Sequence, residues 1–240
     1  MADNTQKPLI KILKNGPYVV SGNIPLSEKV ITPKGKAYEY REGHTLTQGK
    51  TYTLCRCGKS KNPPFCDGVH VEVGFTGTET ASRTNYAERA EMIKGQELDL
   101  MDDHRCALAR FCHGEHGMTW DLIEKSDNPD YKEEAIKTAN QCPAGRLTAV
   151  EKSGKLIEPE YEPAIEILQD VEKKVSGPIA VKGNIPLQGA DGHMYELRNR
   201  YTLCRCGESK DMPFCDCTHV HIKFRDRKLP LANYLDELIR

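Results

Sequence analysis

The sequence contains no apolar run approaching the ~20 residues that a membrane span needs. Its polar start, Met1 to Lys7, leads into only a short apolar run at Leu9 to Leu13, and no signal-peptide pattern is present. A soluble, cytoplasmic protein is therefore expected. Charge of one sign is also missing: the net charge is -1, which gives nucleic acid no basic face to meet. The basic stretch Lys29, Lys34, Lys36 is followed closely by Glu39 and Glu42 and reads as solvated surface. Aromatic residues make up 7% and hydrophobic residues 38%, which is lean for one large core and favours small modules held by additional staples. No Gly-rich nucleotide loop sits between a strand and a helix, no Ser/His/Asp arrangement stands out, and no flavin site is evident. What the chain does have is ten cysteines. In a reducing compartment they do not read as a disulfide framework, so metal ligation becomes the working assumption.

The chain repeats itself. Gly16-Pro17-Tyr18-Val19-Val20-Ser21-Gly22-Asn23-Ile24-Pro25-Leu26 matches the segment from Gly177 to Leu187, and Tyr52-Thr53-Leu54-Cys55-Arg56-Cys57-Gly58 matches the segment from Tyr201 to Gly207. The offset is 161 residues at the first segment and 149 at the second, so the first copy carries 12 more residues between Leu26 and Tyr52, read as a longer hairpin loop. Within each copy, Tyr18–Ser21, Tyr52–Leu54, Ile179–Lys182 and Tyr201–Leu203 read as strands among Gly, Pro and Asn punctuation. Between the copies the composition changes: Ala87–Ile93 and Glu133–Gln141 read as helical, and Leu147–Val150 and Lys155–Glu158 flank Ser153-Gly154 as a hairpin.

Each copy holds one cysteine–histidine quartet. The first is Cys55-x-Cys57, eight residues to Cys66 and three to His70; the second is Cys204, Cys206, Cys215 and His219 at identical spacing. The same quartet twice, inside a repeat, excludes coincidence. Thiolates that converge on a positive core need a backbone that turns tightly. Gly58 and Gly207 supply that turn, and Pro63-Pro64 and Met212-Pro213 stiffen the approach to the third cysteine. Backbone N–H groups of such a turn can donate to sulfur, and Phe65 and Phe214 are expected to shield one side. Zinc is the alternative metal for three Cys and one His, although a Cys-x-Cys start fits the widely spaced pairs of a zinc finger poorly.

The segment Cys55-Arg56-Cys57-Gly58-Lys59-Ser60-Lys61-Asn62-Pro63-Pro64-Phe65-Cys66-Asp67-Gly68-Val69-His70, like Cys204 through His219, resembles the CDGSH iron–sulfur domain, the family of mitoNEET. The resemblance implies a [2Fe–2S] cluster on three Cys and one His in each copy: Cys55, Cys57, Cys66 and His70 for one, Cys204, Cys206, Cys215 and His219 for the other. It also implies that the two modules pair, here within one chain. The chain departs from the pattern at Cys217, which stands where the first copy has Gly68. If the backbone there needs a positive φ, strain of about 1–2 kcal/mol follows, and a spare thiol near His219 could compete as a ligand. The membrane anchor of some relatives is missing. An imidazole in place of a thiolate raises the reduction potential and offers a protonation point near neutral pH.

Three cysteines remain in the middle. Cys106 and Cys112 flank Ala109, and Cys142-Pro143 follows much later. Bacterial ferredoxins use C-x₂-C-x₂-C and a distant Cys-Pro; here Ala109 occupies the central position. The stretch is similar to the divergent single-cluster ferredoxins, which implies a [3Fe–4S] cluster on Cys106, Cys112 and Cys142. A [4Fe–4S] cluster with a non-Cys ligand is the rival, with His104, His113 and His116 nearby, and plain buried thiols are the bland alternative. Trp120 reads as core packing.

The expected fold is α+β: two small β-rich CDGSH modules at 1–78 and 166–240 forming an intrachain pseudo-dimer, with a ferredoxin-like α+β domain at 79–165 inserted between them. The expected function is one-electron transfer or redox relay, an electron carrier rather than a catalyst. Cluster storage, transfer or redox sensing is the alternative. Redox partner proteins, no nucleic acid, no membrane and a monomeric state complete the expectation.

Overall fold

The computed structural model describes residues 7–226; the outermost parts of the first and third expected domains, 1–6 and 227–240, lie outside the described residues. The first repeat contributes β1 (Leu9–Ile12), β2 (Tyr18–Ser21), β3 (Leu26–Lys34), β4 (Ala37–Glu42), β5 (Tyr52–Leu54) and the single-turn α1 (Val69–Glu72). The middle contributes α2 (Tyr86–Arg89), β6 (Glu91–Lys94), β7 (Leu98–Asp102), α3 (Thr119–Glu124), α4 (Pro129–Asn140), β8 (Leu147–Glu151) and β9 (Leu156–Ile157). The second repeat adds β10 (Ala164–Asp170), β11 (Val175–Lys182), β12 (Leu187–Gln188), β13 (Arg200–Leu203) and α5 (Thr218–His221). The architecture is mixed α+β, built mainly from small sheets. Among the described residues no helix is long and apolar enough to cross a membrane.

Three sheets form, in the orders β12-β1-β2-β5, β13-β11-β10-β3-β4 and β6-β7-β8-β9. The first two mix strands of both repeats. β1 pairs in parallel with β12 through Ile10–Leu187, and β10 pairs in parallel with β3 from Ile165–Leu26 to Asp170–Ile31. These pairings are equivalent by the repeat, because Ile10 opposes Val20 in one copy as Ile165 opposes Val181 in the other. Alternation along the strands turns Ile10, Ile12, Tyr18 and Val20 inward, and Ile165, Ile167, Ile179 and Val181 meet them in a single apolar core. Each such side chain, fully buried, contributes about 1.5–3 kcal/mol.

The middle segment packs α3 and α4 on its own antiparallel sheet around Leu98, Leu100, Ile123, Ala135 and Leu147. Asn128 caps α4 by accepting hydrogen bonds from Asp130 N and Tyr131 N, and Pro129 opens the helix. The expected helix at Ala87–Ile93 is not formed: a single turn ends at Arg89, and Glu91–Lys94 runs as strand β6. The ladder from β6 to β7 overrides helical composition, because one isolated turn is too short to sustain itself. The hairpin at Ser153-Gly154 forms as expected between β8 and β9.

The 12 additional residues of the first copy are a paired extension, not a loop: β3 continues to Lys34 and β4 returns antiparallel to it. Lys34–Glu39 and Lys29–Glu42 pair across the two strands. The extension is a platform for the middle segment. Phe111 packs against Tyr40 at 4.3 Å between ring centroids, and the Arg110 guanidinium lies 4.4 Å from the Tyr38 ring centre. On the same face of β10 and β11, Leu168 and Ala180 close around Phe111, and Asp170 takes Arg110 in a two-pronged ion pair at 2.7 and 3.1 Å.

Arg110 and Asp170 are both largely removed from water, so deleting one partner strands the other charge. Arg110→Met or Asp170→Asn is expected to lower stability by about 3–5 kcal/mol. Urea denaturation reads this as a lower midpoint at unchanged slope; an unmoved midpoint would mean the clamp does not hold the middle segment in place.

Candidate metal centres

The two quartet loops are built alike, bond for bond. Cys55 N donates to Pro64 O at 2.8 Å and Cys66 N to Thr53 O at 3.0 Å; Cys204 N donates to Pro213 O and Cys215 N to Thr202 O at the same distances. The aspartate after the third cysteine closes the loop. Asp67 accepts from Lys61 N and Val69 N, as Asp216 accepts from Lys210 N and Thr218 N. Ser60 and Ser209 brace the other side by donating to the carbonyls of Phe65 and Phe214. Sequence reasoning passed over these aspartates and serines. Their recurrence at matching positions in both copies was the available signal.

Within each quartet the donors fall into two pairs. Cys55 Sγ and Cys57 Sγ are 3.6 Å apart, and Cys66 Sγ lies 3.4 Å from His70 Nδ1; the second copy gives 3.7 Å for Cys204–Cys206 and 3.4 Å for Cys215–His219. A disulfide would require ~2.05 Å. Two donors sharing one tetrahedral metal at bond lengths of about 2.3 Å for sulfur and 2.0 Å for nitrogen stand roughly 3.5–3.8 Å apart. Each pair therefore fits one tetrahedral iron, and each quartet fits a centre with two irons.

Charge chemistry agrees with ligation. Within each Cys-x-Cys pair the hydrogen bond between the sulfurs, aided by N–H groups of Ser60 and Gly58 or of Ser209 and Gly207, lowers the first thiol, Cys55 or Cys204, and raises the second, Cys57 or Cys206. Burial pushes Cys66 and Cys215 up. It pushes His219 down to about 4, so its imidazole is neutral at pH 7, with a lone pair to give. Cys215 and His219 are 4% and 5% exposed, whereas Cys66 and His70 are partly open to solvent.

Cys217 adopts φ +66, matching the +89 of Gly68, so the left-handed backbone expected there is real and carries a side chain that disfavours it. Its Sγ lies 3.9 Å from His221 Nε2, outside the quartet of Cys215 and His219. Phe214 lies in the shared core and Phe65 packs against it, anchoring the loops.

The middle cysteines also come together. Cys106, Cys112 and Cys142 line one pocket with Ala109, Trp120 and Arg146. The loop winds around it with Leu108 at φ +52 and Arg110 at +65, and Leu108 N donates to Cys106 Sγ at 3.3 Å. Left-handed backbone at residues other than glycine persists only where surroundings impose it; the Arg110–Asp170 clamp is such a constraint. Cys112 is pushed up to about 12 by burial and by the neighbouring Cys142 and Cys106 sulfurs. Three crowded thiolates need a positive core to coexist, which is what iron supplies. Arg146 pairs with Asp102 at 2.6 Å, and Trp120 Nε1 donates to the same carboxylate at 3.2 Å, so Trp120 packs with a polar tether. The three histidines face elsewhere: His104 lies toward Glu91 and Asp102, His113 meets the Tyr38 edge, and His116 hydrogen-bonds Glu134.

The middle site abuts the second repeat. Arg105, beside Cys106, bonds Asp211 at 3.1 Å, and its guanidinium lies 4.2 Å from the Phe214 ring centre. Cys106, Cys215 and Cys217 line a common pocket.

Comparison with known proteins agrees with this geometry. The family described as "iron-binding zinc finger CDGSH type" matches residues 15–71 and 176–220, and the "divergent 4Fe-4S mono-cluster" family matches residues 93–152. Two relatives share a 25-residue segment, 10% of this chain. They are the mouse "CDGSH iron-sulfur domain-containing protein 3, mitochondrial", 68% identical over 18% of its length, and its human namesake, 64% identical over 20%. The chain thus spans about a fifth of the relatives it matches. No solved structure gives a significant match. Two segments that match the CDGSH iron–sulfur family thus flank one that matches the divergent 4Fe-4S mono-cluster family.

Proposed function

We propose that this chain is a one-electron carrier or redox relay. In this reading Cys55, Cys57, Cys66 and His70 hold one [2Fe–2S] cluster; Cys204, Cys206, Cys215 and His219 hold a second; Cys106, Cys112 and Cys142 hold a [3Fe–4S] cluster. Such clusters supply single-electron exchange when bound. The chain's own residues do the rest. The sulfur–sulfur hydrogen bond in each Cys-x-Cys pair, with neighbouring N–H groups, favours one thiolate, buried His219 offers a neutral nitrogen, and buried arginines brace the loops from below. The observation that carries the reading is proximity. Arg105 joins the middle loop to the second module's ligand loop, and Cys106 and Cys215 border one pocket. A protein that only stores or delivers clusters has no need of adjoining sites. Ala109 at the fourth ligand position and three histidines turned away support the three-thiolate form.

The modules, divided at 1–78, 79–165 and 166–240, form an intrachain pseudo-dimer in this proposal, and the chain acts as a monomer toward redox partner proteins in a reducing compartment such as the cytoplasm. Exchange of β1–β12 for its equivalent β10–β3 supports the pairing. So does the approach of the ligand loops. A Cβ on Gly58 would stand 2.4 Å from Cys206 O, and one on Gly207 would stand 2.5 Å from Cys57 O.

Anaerobically purified protein is expected to contain iron and acid-labile sulfide, with an oxidised [3Fe–4S] resonance that Cys142→Ser abolishes. A resonance that arises only on reduction and is lost in Cys142→Ser would assign the middle site a fourth ligand, and a colourless, zinc-loaded protein would overturn the reading. Gly58→Ala meets both a left-handed φ and a backbone carbonyl, together costing about 3 kcal/mol or more. It is expected to deplete iron at both outer sites. Depletion of the first alone would refute the pairing.

A further inference from the structure

Between the first two cysteines of each quartet lies an arginine buried beneath the loop, Arg56 at 1% exposure and Arg205 at 2%. Arg56 donates Nε to Gly16 O at 2.9 Å and Nη2 to Leu13 O at 3.2 Å; Arg205 does the same to Gly177 O and Leu168 O at equal distances. Each guanidinium lies over a phenylalanine, Phe75 at 5.4 Å and Phe224 at 5.5 Å. Each phenylalanine N–H in turn bonds the carbonyl of the candidate ligand histidine, His70 at 2.9 Å and His219 at 2.8 Å.

The copies part at one atom. Arg205 Nη1 pairs with the Asp226 carboxylate, while Arg56 Nη1 is buried without a hydrogen-bond partner among the described residues. The counterpart of Asp226 is Gly77. Both follow their phenylalanine by two residues, and the backbone N–H of each bonds the same turn, Gly77 to Asn15 Oδ1 at 3.1 Å and Asp226 to Ser176 Oγ at 2.9 Å. A Cβ at Gly77 would come within 2.2 Å of Arg56 Nη2, so the guanidinium itself fills the space a carboxylate would use.

A guanidinium stays protonated in a protein interior, and in low dielectric its field is felt strongly nearby. Reduction adds negative charge to an iron–sulfur site, so net charge and solvent exposure around it set its potential. The unpaired Arg56 favours the added electron. At the second site Asp226 cancels most of the Arg205 field, and burial of Cys215 and His219 withholds the water that would stabilise the same charge. Both differences act in one direction.

We propose that the Asp226–Arg205 pair holds the second outer site at a lower reduction potential than the first, making the two CDGSH modules redox-inequivalent. Asp226 touches no ligand and acts through Arg205 as a tuning residue. The inference rests on the cluster assignment above. Potentiometric titration of the full chain, followed by absorbance and electron paramagnetic resonance, tests it. Two outer-site midpoints are expected. His70→Cys and His219→Cys each keep four donors and displace one midpoint, and so assign the lower one to the second site. Asp226→Asn should raise the lower midpoint toward the higher, moving it more than the higher, and Asp226→Glu should restore the wild-type separation. Coincident wild-type midpoints, the reverse assignment, or an Asp226→Asn protein with unchanged midpoints would overturn the inference while iron and sulfide remain. A wild-type protein without iron and sulfide would sink the cluster assignment and this inference with it. Should Asp226→Asn fold poorly, Asp226→Gly, which installs the first copy's residue, takes its place, and an unmoved lower midpoint in it would overturn the inference.

Discussion

Everything in this molecule hangs on two parallel strand pairs. β1 alone has four residues and β12 has two, too few to hold a sheet by themselves. Pairing each first strand of one repeat with the third strand of the other brings both sets of inward Ile, Val and Leu side chains into one core. A 40–70-residue module rarely buries enough apolar surface to stand alone; two modules that exchange strands do so jointly. The ligand loops sit at the ends of these shared sheets, close enough that Gly58 and Gly207 each face the other copy's second cysteine carbonyl. Tyr18 adds a bond across the boundary, donating from the first repeat to Cys204 O at 2.9 Å. Loop geometry at either outer site thus depends on both copies.

The middle segment uses what the repeats leave uncovered. β10 and β3 lie at the centre of a five-stranded sheet whose inner face is the common core. Its outer face would expose Ile31, Leu168 and Ala180 without Phe111 and its neighbours. The lengthened hairpin of the first repeat supplies two tyrosines to complete that seat, and Asp170 supplies the charge that fixes Arg110. The same clamp holds the left-handed turns of the cysteine loop. Docking of the segment and shaping of its site are therefore one event.

The repeat, the quartets, the middle cysteine pattern and the hairpin at Ser153-Gly154 were legible in the sequence because each is a local spacing or an internal identity. The left-handed backbone at Cys217 was legible too, since its counterpart is a glycine. What escaped were features decided by distant partners. Glu91–Lys94 looked helical but is claimed by the β7 ladder, and the extra residues before Tyr52 looked like a loop because Tyr38 and Tyr40 find their aromatic and cationic partners more than 70 residues away. Arg105 and Arg110 were likewise invisible as joints between modules. A charged residue in a cysteine loop carries no mark of which carboxylate it will meet.

Joining two copies in one chain removes a constraint that a symmetric pair of identical chains must obey. In a homodimer, every substitution appears twice, and a change that suits one site is imposed on the other. Here the copies have separated where their surroundings differ and kept their identity where ligation demands it. The cysteine, aspartate and serine framework of the two loops coincides within 0.2 Å in its hydrogen bonds. Gly68 against Cys217, Gly77 against Asp226 and a partly open against a buried histidine are the differences, and the second member of each belongs to the copy whose ligand loop meets the middle cysteine loop. Contact marks the difference: the ligand loop that meets the middle cysteine loop is enclosed and has its arginine paired, and the other stays partly open to solvent.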